Sequence, residues 1–526
     1  MGSLRARTSS LVICVAAIVV VAHGQSTVDR HAVLENVGLP AVYEGVIVDE
    51  THAPNTPEAK KRAAIRAALH TQSERPATLY VRGRVVVKFH DRATDADRLS
   101  AIQQVSRAAT IEPRPTYADF DLVRIDPADD PEAVAAALGD RAEVEYAQAA
   151  YSGWHTMMVP NDPLYATRQW NLPMINLERA WDLQPQAGSS MVVAVLDTGV
   201  AYQNATLTEN VPAFLDETGV RYPALGRVTI PYSGAPQLMA PGRFVTPFDF
   251  IWNNAIPLDF DGHGTHVSGT IGQLTNDGIS AAGVAFNVKI MPVKVLDSSW
   301  DFLFGAPNVA TDDVVARGIR YAADNKADVI NMSIGRTGPP NTSPVVEEAI
   351  KYAVSKGVFV AIAAGNEFEI GNPLEVIAEI ASRVDGAVSV AAVDRNKAHA
   401  YYSSTGSYVE ISAPGGSERG FGRDGYVFQQ TFDFNFTDTF LLSPSQYHAP
   451  RFDVLADIGY IGTSMAAPHV TGVAAMMKQQ GITSPAAIEA AMEQTAIDLG
   501  SPGRDNTFGH GLIDARAALR GLGLAR

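Results

Sequence analysis

The sequence predicts an α/β protein, built on a mostly parallel sheet with helices on both faces and preceded by a small α+β domain. Three observations predict it. Segments 191–196, 288–295, 329–332, 358–363 and 387–392 are predominantly apolar and lack the alternation of a strand with one wet face. Helical patterns fill the gaps and follow the last of them, at 266–274, 312–325, 345–356, 467–479 and 485–495. Ahead of these lies a shorter strand–helix–strand–strand–helix–strand series.

The 526 residues call for more than one domain, and 46% hydrophobic with 19% charged residues is a globular composition. A net charge of −16 argues against a nucleic-acid partner. Residues 1–24 read as a signal peptide. Arg5 and Arg7 precede an apolar run from Leu11 to Ala22, and Ala22-His23-Gly24 supplies small residues at a cleavage site. That apolar run is too short to span a bilayer comfortably. Cys14, the only cysteine, leaves with this segment. The mature chain then has no disulfide, thiol nucleophile or cysteine metal site. The expected location is extracellular or periplasmic, with no membrane partner once the signal is removed.

Residues 25–76 are a pro-region of unclear structure, apart from a short helical pattern at 57–69. In 77–151 the pattern is sharp. Strands at 80–89, 109–113, 120–125 and 144–151 enclose helices at 95–105 and 130–138, the order of a ferredoxin-like domain. A linker at 152–159, the expected activation site, leads into the α/β domain, 160–526, whose first stretch to 183 is a connector with Pro160, Pro163 and Pro173.

Reactive groups in parallel sheets collect at the carboxyl ends of strands. The first apolar strand runs into Asp197-Thr198-Gly199. An aspartic-protease reading of that triplet needs a second copy, and none is present. Further on comes Asp261-Gly262-His263-Gly264-Thr265-His266. The two histidines lack the glutamate of a zinc-protease helix. Glycines on both sides of His263, ahead of a helix beginning near Thr265, suit an accessible general base, whereas His266 lies on the helix as a structural residue. Asn366 ends the strand Ala363-Ala364-Gly365-Asn366, and its amide can donate to an oxyanion without carrying charge. Ser464, in Gly462-Thr463-Ser464-Met465-Ala466-Ala467-Pro468-His469-Val470, stands at a helix start among unpaired N–H groups. By itself it reads equally as a helix cap.

Together these motifs resemble those of the subtilisin-like serine proteases. The likeness rests on V-A-V-L-D-T-G-V around Asp197, H-G-T-H-V-S-G-T from His263, A-A-G-N ending at Asn366, N-M-S-I-G from Asn331 to Gly335, and G-T-S-M-A-A-P-H-V from Gly462. It covers roughly 160–519. The resemblance implies a three-layer subtilisin-like fold and a secreted serine endopeptidase working through Asp197, His263 and Ser464. It further implies an oxyanion donor at Asn366 and substrate backbone pairing at Ser333, Ile334 and Gly335. The 77–151 domain resembles the family's propeptide, a folding aid and intramolecular inhibitor removed by self-processing. Protein and peptide substrates, and the propeptide itself, are the implied partners. The implied cofactor is structural Ca2+, with Asp162 in Asn161-Asp162-Pro163 and Asn276 in the 274–278 loop as ligands. Asp and Asn are also ordinary turn residues.

Two stretches depart from the compact family pattern, at 201–257 and 410–458. Both read as insertions at the rim of the active site, where long loops shape access. Glu367, Glu369 and Glu375 follow Asn366 where the primary pocket wall is expected. They either favour a basic residue or stand in solvent, and the expected specificity is broad with an apolar lean. Two other readings of the chain are a secreted pseudoprotease that binds peptide without cutting, and a processing protease of narrow specificity.

Overall fold

The structure is a computed structural model and describes residues 80–114, 118–151, 158–216 and 219–520. The expected signal peptide, the 57–69 helix, and most of the linker lie outside the described residues.

The first described unit is β1 (Tyr80–Phe89), α1 (Asp95–Val105), β2 (Thr110–Ile111), β3 (Asp121–Arg124), α2 (Pro131–Gly139) and β4 (Val144–Tyr151). Its strands form one antiparallel sheet in the order β2-β3-β1-β4. This is the ferredoxin-like arrangement the sequence predicts. Caps fix both helices. Thr94 and Asp97 form a reciprocal capping box on α1, and Asp130 caps α2 with proline at the first helical position. Val85, Val87 and Phe89 alternate inward along β1 and meet Ile102 and Leu138 in a separate small core.

In the larger unit three short helices, Pro163–Arg168, Asn171–Met174 and Leu177–Leu183, lead into β5 (Val192–Asp197). Four strands follow from the first long insertion: β6 (Ala205–Val211), β7 (Phe214–Leu215), β8 (Arg221–Tyr222) and β9 (Gly226–Tyr232). Then come β10 (Phe248–Asp249), α3 (His263–Gly272), β11 (Lys289–Lys294), α4 (Asp312–Asp324), β12 (Val329–Met332), α5 (Pro344–Ser355), β13 (Phe359–Ala363), α6 (Val376–Ala381), β14 (Ala387–Val393) and β15 (Ile411–Pro414). A hairpin of β16 (Val427–Phe432) and β17 (Leu455–Tyr460) precedes α7 (Thr463–Gln479) and α8 (Pro485–Thr495).

Seven strands form the main sheet in the order β10-β11-β5-β12-β13-β14-β15, and every neighbouring pair is parallel. The apolar strands are continuous because both faces are covered. In β5, Val193 and Val195 join one core with α3, α7 and α8, while Ala194 and Leu196 join the other with α4, α5 and α6. Each such valine or leucine contributes about 1.5–3 kcal/mol on burial.

Four expectations need correction. The sheet's two edge strands, β10 and β15, fall inside the stretches read as insertions, so these contract to 201–247 and 415–458. Both strands are short, and periodicity does not distinguish so short a run from a loop. The helix expected near Thr265 starts at His263, after Gly262 at φ 107°. The helix expected at 467 starts at Thr463. Pro468, inside that helix, argues for a later start, because proline cannot donate to the carbonyl four residues back. That carbonyl belongs to Ser464, and it accepts instead from the Ser333 hydroxyl at 2.8 Å.

Candidate active site

Three adjacent strands deliver their carboxyl ends to one edge of the sheet. β5 ends on Asp197, β12 leads into Ser333-Ile334-Gly335, and β13 leads into Ala364-Gly365-Asn366. The starts of α3 and α7 close over that edge, and the two helices pack on each other.

Asp197 is fully buried, and its Oδ1 lies 2.8 Å from His263 Nδ1. The same oxygen accepts from Thr198 N at 2.7 Å. Close approach depends on Gly264, where a Cβ would fall 2.1 Å from the Gly199 carbonyl. Burial disfavours a charged imidazole, but the Asp197 charge and hydrogen bond, reinforced by Asp261 and Asp259, outweigh it and raise the His263 pKa to about 9.

His266, one turn along, has the opposite environment. Its Nε2 donates to the carbonyls of Val427 and Ile458, and Tyr460 stacks on the ring at 4.4 Å. Burial, with the His263 charge second, lowers its pKa to about 3. It is a packed, neutral ring, as its place on the helix predicts.

Asn366 is oriented by its neighbour. Its Oδ1 accepts from Thr463 N at 2.9 Å and from Thr463 Oγ1 at 3.0 Å. A backbone N–H can only donate, so the amide oxygen must face Thr463 and Nδ2 is left to donate elsewhere. Asn366 Nδ2 and Ser464 N border the same small space beside Gly462, 3.7 and 3.6 Å from where a Cβ would stand. Gly462 has φ 148°, which an L side chain rarely adopts. Two N–H donors therefore border one small space beside Gly462, and donors so placed can stabilise a developing oxyanion. Ser464 Oγ itself donates to the Ser333 carbonyl at 3.2 Å. Hydrogen bonds between nucleophile and base are often unformed before substrate binds. Asn331 ties the edge together, donating to Ser333 Oγ at 2.9 Å and accepting from Thr471 Oγ1 at 2.8 Å.

One organising residue carries no sequence signal. Asp259, fully buried, accepts five hydrogen bonds, from Thr198 Oγ1, Asp261 N, Gly262 N, Thr265 N and Thr265 Oγ1. It clamps the turn after Asp197 to the turn before His263. A single carboxylate in a loop reads as solvated until its donors are known.

Asp162 and Asn276 do come together. Asp162 Oδ2 accepts from Asn276 N at 2.7 Å, and Asn276 Oδ1 accepts from Asn161 N at 3.2 Å. Burial, opposed in part by these bonds, and the neighbouring Asp277 carboxylate raise the Asp162 pKa. Asp162 is buried and Asp277 beside it stands exposed in the 274–278 loop, and two neighbouring carboxylates suit a hard, oxygen-seeking cation. The two contracted insertions meet each other. Tyr232 pairs with Phe452, and Tyr222 donates to the Leu442 carbonyl at 2.9 Å. Their hairpin β16–β17 packs on α3. A cavity of about 700 Å³ in this annex is lined by Asn204, Gln430, Asp453 and others, and by none of the candidate site residues.

Comparison with known proteins gives the family of the chain. Residues 188–511 match the family model of the subtilases, and residues 66–149 match the fervidolysin N-terminal prodomain. The chain is 29% identical over 440 residues to the thermophilic serine proteinase of Bacillus sp. strain AK1, covering 84% of this chain and 88% of that one. It is 31% identical to thermitase of Thermoactinomyces vulgaris over 65% of this chain and 94% of thermitase. A protease of Pseudoalteromonas arctica PAMC 21717 shares the structure with a TM-score of 0.51 and 30% identity, across 70% of this chain and all of that one. The chain is a serine peptidase of the subtilase family, carrying a fervidolysin-type prodomain.

Proposed function

We propose that the protein is a secreted endopeptidase, made as a zymogen, whose triad is Asp197, His263 and Ser464. In this reading His263 Nε2 takes the proton of Ser464 Oγ as the oxygen attacks a peptide carbonyl, then returns it to the leaving amine. Asp197, at Nδ1, holds the ring in the tautomer that leaves Nε2 free and stabilises the imidazolium. Asn366 Nδ2 and Ser464 N receive the oxyanion, and water then cleaves the acyl-enzyme. Ser333, Ile334 and Gly335 pair with the substrate as an added strand. The observation that carries the reading is the convergence of Asn366 Nδ2 and Ser464 N beside Gly462, with the Asp197–His263 pair at the same sheet edge.

The prodomain at 77–151 acts as an intramolecular inhibitor, and the activation cut falls within 152–159. The segment 1–24 directs export and is removed. Among the described residues, no helix is long and apolar enough to cross a membrane. Ser464→Ala is expected to abolish both casein hydrolysis and self-processing, with turnover falling by about 10⁶-fold, the size of the loss in subtilisin, a member of this family. Retained hydrolysis or processing would overturn the assignment. Asp162 and Asn276 are the residues that would hold Ca2+, which would neutralise the Asp162–Asp277 pair and fix the N-terminal segment to the 274–278 loop. A chelator is then expected to lower the melting midpoint, and an unchanged midpoint removes the cation from the account.

A further inference from the structure

The three glutamates after Asn366 have three different fates. Glu369 is on the surface, ion-paired with Arg419, whose Nη2 donates to it at 2.6 Å. Glu367 turns back on its own strand, where its Oε2 accepts from Asn366 N at 2.6 Å. Glu375 is different. It is 2% exposed, and its Oε2 has no hydrogen-bond partner.

Its position follows from two glycines. A Cβ on Gly335 would fall 2.6 Å from Glu375 Oε2, and one on Gly365, at φ 106°, would fall 2.3 Å from Glu375 Cγ. Glu375 thus occupies the gap between the end of β12 and the end of β13, held there by pairing of Thr337 with Glu375 and by Val376 N on the Arg336 carbonyl. On the proposed pairing of substrate with Ser333–Gly335, its scissile carbonyl beside Asn366 Nδ2, the side chain of that same residue would point toward this gap.

The surrounding groups leave the carboxylate without a cation. Glu367 adds like charge, and the Arg336 guanidinium is engaged by both oxygens of Asp312, at 3.0 and 2.9 Å. The Tyr408 hydroxyl is directed to the Ala364 carbonyl at 3.4 Å, and Glu379 meets Glu375 through its backbone N–H. Burial first, then the Glu367 charge and a carboxyl hydrogen bond with Glu367, raise the Glu375 pKa to about 8, so at neutral pH Glu375 holds a proton in place of a counter-ion. A buried carboxylate lacking its partner is costly, and a bound cation removes that cost.

We propose that Glu375 determines specificity at this site, selecting substrates with lysine or arginine at the residue whose carbonyl is attacked. The proposal rests on the reading of Ser464 and Ser333–Gly335 above, and replaces the apolar lean expected from sequence. It is tested on the purified mature enzyme with peptide anilides that differ only at that residue, carrying Arg, Lys, Leu, Phe or Ala, at pH 9. Arg and Lys substrates are expected to exceed Leu and Phe by at least about 10-fold in kcat/KM. Glu375→Gln should lower the Arg-to-Leu ratio by about 30-fold or more, and Glu375→Asp should restore part of it. The ratio is read on one preparation, so a misfolded fraction cancels. A wild-type preference for Leu or Phe, or a ratio unmoved by Glu375→Gln, overturns the proposal. Cleavage of none of the five would instead overturn the Ser464 reading, and the proposal with it. Should Glu375→Gln fail to fold, benzamidine serves as probe. Competitive inhibition of the wild type that tightens from pH 7 to 9 supports the proposal, and weak, pH-independent inhibition overturns it.

Discussion

The carboxyl edge of the seven-stranded sheet and the annex built by the insertions meet on one helix, α3, and treat its two histidines in opposite ways. At the sheet edge, carboxylates surround His263 and raise its pKa to about 9. On the annex side, carbonyls of β16 and β17 and the Tyr460 ring enclose His266 and lower its pKa to about 3. The residues are identical and three positions apart, so the difference comes wholly from what each face packs against. One region arranges charge for chemistry and the other excludes it for packing. The annex therefore acts on the site through the placement of α3, with Thr431 Oγ1 donating to the Gly262 carbonyl at the helix start.

That comparison can be broken from the annex side. Phe452 is fully buried where the two insertions join, touching Tyr232, Phe260 and Phe432. Phe452→Ala is expected to cost about 3–5 kcal/mol of stability, read by denaturant unfolding. Activity per folded molecule, from active-site titration, should change far less. A large loss of turnover with little loss of stability would mean that the annex takes part in catalysis directly.

From the sheet edge the reverse is expected. Asn366→Ala should lower kcat by about 100- to 1000-fold, the range found for subtilisin of this same family when its side-chain donor is removed. The melting midpoint should move little, since Asn366 is exposed. A comparable rise in KM instead of the fall in kcat would place Asn366 in ground-state binding.

The two histidines give the sharpest contrast, in pH. The acid limb of kcat/KM reports the free base His263 and should lie well above 6.5, toward 9. Stability should carry the opposite signature from His266. Its folded pKa is depressed below the unfolded value near 6.5, so the unfolded chain binds the proton first. The contribution is full above pH 6.5 and declines as pH falls toward 3, by about 1.4 kcal/mol per unit at most. A His266→Gln variant should flatten that decline, and an unaltered slope would assign acid sensitivity elsewhere, His469 being the next buried histidine.

Much of the sheet edge was legible before any coordinates. The motifs around Asp197, His263, Asn366 and Ser464 were legible through their joint resemblance to one family, since each taken singly also reads as a turn, a packed ring or a helix cap. The helix starts were misjudged by two to four residues because Pro468 hides the first turn of α7 and glycines hide that of α3. The edge strands β10 and β15 were missed because each is short and lies among turn residues. Asp259 was out of reach, and Glu375 was legible only as one of three glutamates near the expected pocket, each of which could equally stand in solvent. Both are acidic residues in connecting segments, and only their burial separates them from solvated ones.

The sequence by itself determined the class of fold and the order of the parts, because those follow from periodicity, and it pointed to the residues at the sheet edge through their resemblance to one family. Only the tertiary structure decided what each ionisable group faces. It set Asp259 among five donors, turned the Asn366 amide by the Thr463 N–H, and left Glu375 buried without a counter-ion. The physical reason is that desolvation and charge pairing depend on neighbours far apart in the chain, to which local pattern is blind.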